Sequence, residues 1–256
     1  MIKSLAINQL TEEQLVNWYA KIEANKKFVD FYTSELKKFQ GPMLEINCGT
    51  GEILSKLLSA GISCDGLESS SEQIKICNNH LSEMNLTTNL YNLDFTDFNL
   101  PNKYNTIFIP QATFCMISDI EKAKHFLANV FSLLENGGSL IFDVFIPWKD
   151  IAEYDSRQWK IGNTLFDLET SEDFVHSYNY SFDLSEQIRI VHSKYELYKN
   201  GELVAQYFDV SKSRWYGNNE LTMILESIGF NTIEKRKIFE NNGNDYSTLF
   251  IASKLK

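Results

Sequence analysis

The segment Met43-Leu44-Glu45-Ile46-Asn47-Cys48-Gly49-Thr50-Gly51 runs from a short apolar stretch through a glycine-containing turn into a helical pattern. Glycine has no Cβ, so such a turn lets backbone approach a ligand closely. The N–H groups at the start of the helix point toward whatever binds there. Glu68 follows 17 positions after Gly51, at the end of the next apolar run. A carboxylate there can accept hydrogen bonds from both hydroxyls of a ribose. A dinucleotide fingerprint would need a third glycine at position 54, where Leu54 stands, and a P-loop would need Lys followed by Ser or Thr, which the turn lacks. These residues point to a nucleoside without a pyrophosphate.

Other reactive side chains give weaker signals. Cys48, Cys64, Cys77 and Cys115 form no C-x-x-C pair, and His80, His125, His176 and His192 have no ligand spacing to one another or to a cysteine. No metal site is therefore expected. Cys48 reads as a small turn residue rather than a nucleophile.

The elements that must position these residues follow from periodicity. Leu15, Trp18, Tyr19 and Ile22, then Phe28, Phe31, Tyr32 and Leu36, recur at helical spacing, so the first 40 residues read as helix ending at Gly41-Pro42. Thr11 with Gln14 forms a capping box. From Met43 short apolar runs alternate with helical segments. Strands are expected at 43–47, 62–67, 88–92, 106–110 and 139–146, with helices at 52–59, 71–84 and 120–134. That alternation implies an α/β fold, a parallel sheet with helices on both faces.

After Pro147 the pattern becomes a succession of strands, 159–168, 174–182, 188–198 and 203–212, with Asn200-Gly201 as a hairpin turn. Phe174, His176, Tyr178, Tyr180 and Phe182 alternate with other residue types, which gives one strand an aromatic face. A helix over 220–228 and strands near 233–239 and 246–253 close the chain. The division expected is a helical lid segment over 1–40, a main domain of 41–147 with 214–256, and an antiparallel β module over 148–213 inserted into it.

Of the 256 residues, 43% are hydrophobic and 23% charged, with a formal net charge of −10. This acidity disfavours nucleic acid, whose phosphates need a basic face. No apolar run is long enough to span a membrane, and the first residues carry no secretory signal. Scattered cysteines and no signal lead to the expectation of a cytoplasmic protein with reduced thiols.

With these residues in hand, the chain resembles the class I S-adenosylmethionine-dependent methyltransferases. Their first motif is matched by Leu44-Glu45-Ile46-Asn47-Cys48-Gly49-Thr50-Gly51, and the acidic end of their second strand by Glu68-Ser69-Ser70-Ser71-Glu72-Gln73-Ile74. Asp94-Phe95, the run Leu134–Ile141 with Gly137-Gly138, and Tyr216, Glu220, Leu221, Gly229 and Phe230 match later motifs. The resemblance covers the chain from about Tyr19 onward and is weakest in the module.

It implies a Rossmann-like seven-stranded, mostly parallel sheet and S-adenosylmethionine as cofactor, with S-adenosylhomocysteine as product. Glu45 and the turn from Asn47 through Cys48 and Gly49 to Gly51 would hold the methionine part. Glu68, beside Ser69, would take the ribose hydroxyls. Asp94 would accept from the adenine amino group, with Phe95 on the ring, and Gln111 would stand near the sulfonium. Tyr19, on a helix ahead of the sheet, resembles a lid residue. Asn47 departs from the family's glycine.

The function expected is methyl transfer to a nitrogen or oxygen of a small molecule, with no nucleic-acid or membrane partner. The substrate is expected between the sheet's C-terminal edge and the module, where Trp148, His176, Tyr178, Arg214, Trp215 and Tyr216 are the candidates. The alternative is a catalytically inactive cofactor- or partner-binding protein that kept the fold, supported by Asn47. A protein or tRNA methylase would show a basic or extended groove. Oligomeric state stays open, a homodimer included.

Overall fold

The computed structural model describes residues 8–9, 11, 14–16, 18, 26–155, 157–167, 171–241 and 245–256. The chain divides into two compact units, Asn25–Lys149 with Ser213–Lys256, and Met1–Ala24 with Asp150–Lys212.

The larger unit is the α/β one. In chain order it contains α1 (Lys26–Leu36), β2 (Met43–Ile46), α2 (Glu52–Ser59), β3 (Cys64–Glu68), α3 (Ser71–Glu83), β4 (Leu90–Asn92) and β5 (Tyr104–Ile109). A 3-10 turn at Thr113–Met116 leads into α4 (Ile120–Leu133) and β6 (Leu134–Phe145). After the short α5 (Trp148–Ala152) and the other unit, α6 (Asn218–Ile228), β11 (Thr232–Asn241) and β12 (Asp245–Ser253) complete it. The seven strands lie in the order β11-β12-β6-β5-β2-β3-β4. β12 runs antiparallel to both neighbours, while β6, β5, β2, β3 and β4 are parallel.

This sheet forms because its central strands are apolar on both faces. In β2, Met43, Leu44 and Ile46 are fully buried, and in β5 so are Ile107, Phe108 and Ile109. Helix ends are fixed locally. Asp119 Oδ1 accepts the N–H groups of Glu121 and Lys122 at 2.9 Å to start α4, and Ser70 Oγ accepts from Gln73 N at 3.3 Å to start α3. Gly229, at φ 119, ends α6. α1 is fastened to the sheet by Glu35, which pairs with Lys38 at 2.7 Å and with Arg236 of β11. Burial alone raises the Glu35 carboxyl, but the two cations outweigh it and hold it below the usual range.

The smaller unit is a five-stranded sheet in the order β1-β10-β9-β8-β7, with β1 at Asn8–Gln9, β7 at Lys160–Asp167, β8 at Glu172–Asp183, β9 at Ile188–Lys199 and β10 at Glu202–Arg214. β7, β8 and β9 are antiparallel. Asn200 and Gly201 both take positive φ, 51 and 78, as a two-residue hairpin turn requires. The aromatic face of β8 is present, with His176–Tyr178 centroids at 5.6 Å, Tyr178–Tyr180 at 5.1 Å and Tyr180–Phe182 at 6.1 Å. Trp18 stacks on Phe174 at 4.1 Å in the core of this unit.

Three details differ from the sequence reading. Asn8 and Gln9 form a strand parallel to β10 rather than helix, because the outer edge of β10 offers unpaired backbone groups. β6 begins at Leu134 and carries Gly137-Gly138 within it, so the glycines make an irregular strand start rather than a loop. A short helix at Trp148–Ala152 follows β6. The capping box between Thr11 and Gln14 is formed in both directions, at 3.2 and 2.9 Å.

Candidate active site

The turn after β2 takes its shape from three left-handed residues, Asn47 (φ 60), Gly49 (φ 57) and Gly51 (φ 87). Asparagine is among the few non-glycine residues that adopt this conformation readily. Position 47 therefore keeps the geometry that a glycine would give. Cys48 N donates to Leu67 O at 3.0 Å, which continues the β2–β3 pairing into the turn. A Cβ on Gly51 would lie 2.6 Å from Cys77 Sγ, and one on Gly66 would lie 2.8 Å from Cys48 Sγ. The two thiols thus fill the space behind the turn. Hydrogen bonding to Cys77 and burial push the Cys48 thiol up, in keeping with a packing role.

Glu68 closes this arrangement from β3. It is 2% exposed, its Oε2 accepts from Gly49 N at 3.0 Å, and its Oε1 accepts from Ser70 N at 2.9 Å and the Ser69 hydroxyl at 3.3 Å. A carboxylate offers about four acceptor positions, so capacity remains for a further donor. Leu93 N donates to Glu68 O at 3.2 Å, and Asn92 Nδ2 donates to Glu68 O and Ser69 O at 2.9 Å. These bonds bring the loop that bears Asp94 beside Glu68. Asp94 is exposed, and its Oδ1 accepts from the amide and hydroxyl of Thr96, both at 2.8 Å. Phe95 is half-buried and meets Phe126 edge-on at 6.4 Å.

Glu45 lies two residues before the turn and is 2% exposed. Its Oε2 has no partner. Burial, with the charges of Glu52 and Glu68, pushes its carboxyl well above the ordinary range, and the Leu54 amide only partly opposes this. A buried carboxylate oxygen with no donor is costly unless a ligand supplies one. Gln111, at φ 60 and exposed, follows β5, with Ala112 at φ 55 beside it.

The structure therefore brings Glu45, Asn47, Cys48, Gly49, Gly51, Glu68, Ser69, Asp94, Phe95 and Gln111 to the C-terminal ends of neighbouring strands β2, β3, β4 and β5. Tyr19 lies outside the described residues. The expected substrate residues are divided between the two units. His176 and Tyr178 belong to the smaller unit. There His176 Nε2 pairs with Ser193 Oγ at 3.2 Å, its ring stacks on Tyr195 at 4.6 Å, and burial lowers its pKa. Trp148 is 54% exposed on α5, Trp215 is buried, and Arg214 pairs with Glu220 at 2.9 Å.

Tyr216 departs from its expected role. It is 0% exposed, donates its hydroxyl to Ile117 O at 3.0 Å and packs on Phe114 at 4.9 Å. It belongs to the core.

Two buried residues were missed. Tyr32 of α1 and Asp143 of β6 are both 0% exposed, and the Tyr32 hydroxyl donates to Asp143 Oδ1. The available signal was a lone carboxylate within the apolar run Ser139–Ile146. Among the described residues, no group of three or more His, Cys, Asp and Glu is placed to hold a metal, and no helix is long and apolar enough to cross a membrane.

The strand order is Rossmann-like, with an acid-lined glycine turn at the C-terminal edge of the sheet. Residues 43–138 match the family model described as a methyltransferase domain. That match covers the first part of the α/β unit, and the fold of the chain is one it shares with S-adenosylmethionine-dependent methyltransferases. Uncharacterized methyltransferases of Bacillus thuringiensis and Bacillus cereus are 34% identical over 116 residues, 45% of this chain and 52% of theirs. The chain thus spans about half the length of the curated relatives it matches.

Solved structures share the fold. An S-adenosylmethionine-dependent methyltransferase from Clostridium acetobutylicum aligns at TM-score 0.76 and 16% identity, over 95% of this chain and 98% of that one. The sugar N-methyltransferase KedS8 from Streptoalloteichus aligns at 0.72 and 14%, over 99% and 97%. The amino pentose methyltransferase CalS10 from Micromonospora echinaspora aligns at 0.69 and 12%, over 96% and 98%.

Proposed function

We propose that this protein transfers a methyl group from S-adenosylmethionine to a nitrogen or oxygen of a small molecule. The observation that carries the reading is Glu68, a buried carboxylate that ties down the glycine turn while keeping acceptor capacity for a ribose. Sugar methyltransferases among the solved structures that share the fold support a small substrate.

When bound, the cofactor supplies a methyl on sulfonium, with a neutral thioether as the leaving group. The chain's own residues would do the rest. Glu68 accepts from the ribose hydroxyls. The orphaned Oε2 of Glu45 offers an acceptor for the ammonium end, whose positive charge would favour the ionised carboxyl. Asp94 has a second oxygen for the adenine amino group, and Phe95 gives the ring an apolar neighbour. At Gly49 and Gly51 the turn carries no Cβ, so its backbone can approach a ligand closely. In-line displacement asks chiefly for alignment and exclusion of water. A nucleophile that arrives as a neutral amine needs no general base, so the reading requires no catalytic dyad.

Calorimetric titration with S-adenosylhomocysteine tests the cofactor half, and a labelled-methyl assay over amines, hydroxyls and acids tests the transfer half. The reading predicts binding that Glu68→Ala and Asp94→Ala weaken. Absence of binding to the unaltered protein overturns it. Binding without transfer to any class of acceptor would favour the inactive relative instead.

A further inference from the structure

The smaller unit holds a pocket that the cofactor reading does not use and that none of the expected substrate residues lines. It exists because β8 outruns its neighbour. The pairing of β7 with β8 ends at Lys160 opposite Tyr178, whereas β8 continues to Asp183. The segment that leads into β7 passes beside this extension. Tyr154 meets Phe182 edge-on at 5.4 Å, and Asp150 Oδ2 lies 3.7 Å from Arg189 Nη1 of β9. About 260 Å³ of space, counting the part open to solvent, is left between them. This is small against the roughly 300–1,000 Å³ of pockets for drug-sized ligands, so it suits a single ring. Every residue that lines it belongs to the unit containing Asp150–Lys212.

The charges around this pocket cancel. Asp155 is gripped by Arg157, Nε on Oδ1 and Nη2 on Oδ2, both at 3.0 Å. Asp150 stands between Lys160 Nζ at 3.8 Å and the Arg189 guanidinium at 3.7 Å. Glu153 is the third carboxylate of the lining, so among the described residues three acids meet three cations. A pocket balanced in this way favours neither a cation nor an anion.

What it offers instead is a set of hydrogen-bonding groups around an aromatic surface. The two ion pairs of Asp150 are longer than hydrogen bonds, which run to about 3.2 Å, so its oxygens keep acceptor positions. Glu153 and the Gln158 amide are exposed, and Lys160 brings an ammonium with several donors. Arg189 and Lys160 also sit over the Tyr180 ring, at 4.3 and 5.6 Å from its centroid, which steadies both cations. Tyr154 is 45% exposed, so its ring is open to a ligand while Phe182 supports it. A hydroxyl both donates and accepts. A saturated ring that carries several hydroxyls also turns C–H groups toward an aromatic surface.

We propose that this pocket binds a neutral, hydroxyl-rich ring of monosaccharide size. Its hydroxyls donate to Asp150 and Glu153 and accept from Lys160, and its C–H face lies on Tyr154. The site stands or falls independently of the cofactor reading, because all of its groups lie in the smaller unit.

Methyl glycosides of glucose, galactose and mannose are the neutral probes, with glucosamine and glucuronate as cationic and anionic counterparts. Each is titrated into the full chain and followed by saturation-transfer NMR, and the melting temperature of every variant is recorded. At least one neutral glycoside is expected to bind at about millimolar strength, more tightly than either charged sugar. Tyr154→Ala, a change at an exposed position, should weaken it about fivefold. Asp150→Asn should weaken it about tenfold through loss of a charged acceptor.

No binding of any neutral glycoside, tighter binding of glucosamine or glucuronate, or binding that ignores both substitutions would overturn the proposal. If Asp150→Asn also lowers the melting temperature, the response of Tyr154→Ala alone decides.

Discussion

Glu68 Oε2, at the end of β3, accepts the backbone N–H of Gly49, in the turn after β2, at 3.0 Å. One carboxylate therefore does two things. It holds the glycine turn against its neighbouring strand, and in the proposed function it would also take the ribose hydroxyls. Its other oxygen is anchored by Ser70 N at 2.9 Å, so the group is oriented before any ligand arrives.

Glu68→Ala should accordingly lower both stability and affinity. Leaving the half-buried N–H of Gly49 without its acceptor costs about 1 kcal/mol. Loss of the diol contact should weaken S-adenosylhomocysteine by at least about tenfold, since a tenfold change is about 1.4 kcal/mol. Chemical denaturation and calorimetry read the two effects separately. An unchanged dissociation constant would remove Glu68 from the cofactor site.

Glu45 makes a pH-dependent prediction. Its folded pKa lies well above the ordinary 4.5, so the folded state holds the proton more tightly than the unfolded chain. Its contribution to stability is then full below that value and is lost as pH rises through the folded pKa. Glu45→Gln should flatten this part of the stability–pH curve and raise the melting temperature near neutral pH. The same change should weaken S-adenosylhomocysteine, because the ligand's ammonium loses its charged partner. A variant that is stabler yet binds equally well would separate Glu45 from the ligand.

Gly51→Ala should destabilise through two causes that a double mutant can separate. The new Cβ would lie 2.6 Å from Cys77 Sγ, and φ 87 is strained for any residue with a Cβ. The left-handed backbone alone costs roughly 1–2 kcal/mol. Adding Cys77→Ala should recover the steric part and leave the backbone part. Full recovery in the double mutant, measured by denaturant midpoint, would contradict the backbone account.

Tyr216→Phe tests the reassignment of a junction residue to the core. Ile117 O would lose its donor, at a cost of about 1 kcal/mol, with no change in affinity for S-adenosylhomocysteine. A methyl-transfer defect without a stability loss would return Tyr216 to the substrate site.

The sequence by itself determined the elements of the α/β unit and much of the candidate site. Alternating apolar runs and helical patterns required a parallel sheet, because strands that are apolar on both faces need cover on both. Asn47, Gly49, Gly51 and Glu68 were legible because they belong to one strand–turn–helix–strand segment, where spacing along the chain fixes position in space.

The tertiary structure decided what local periodicity does not encode. It placed β5 beside β2 and brought the Gln111–Ala112 turn to the same edge as Glu68. It joined Tyr32 to Asp143 across 111 residues, and buried Tyr216 under Ile117 and Phe114. It also added Asn8 and Gln9 to the edge of the second sheet. Periodicity reports which face of an element turns inward. Which distant residues meet on that face depends on strand order and packing, and an aromatic or a carboxylate in an apolar run looks the same in sequence whether it faces a ligand or another buried side chain.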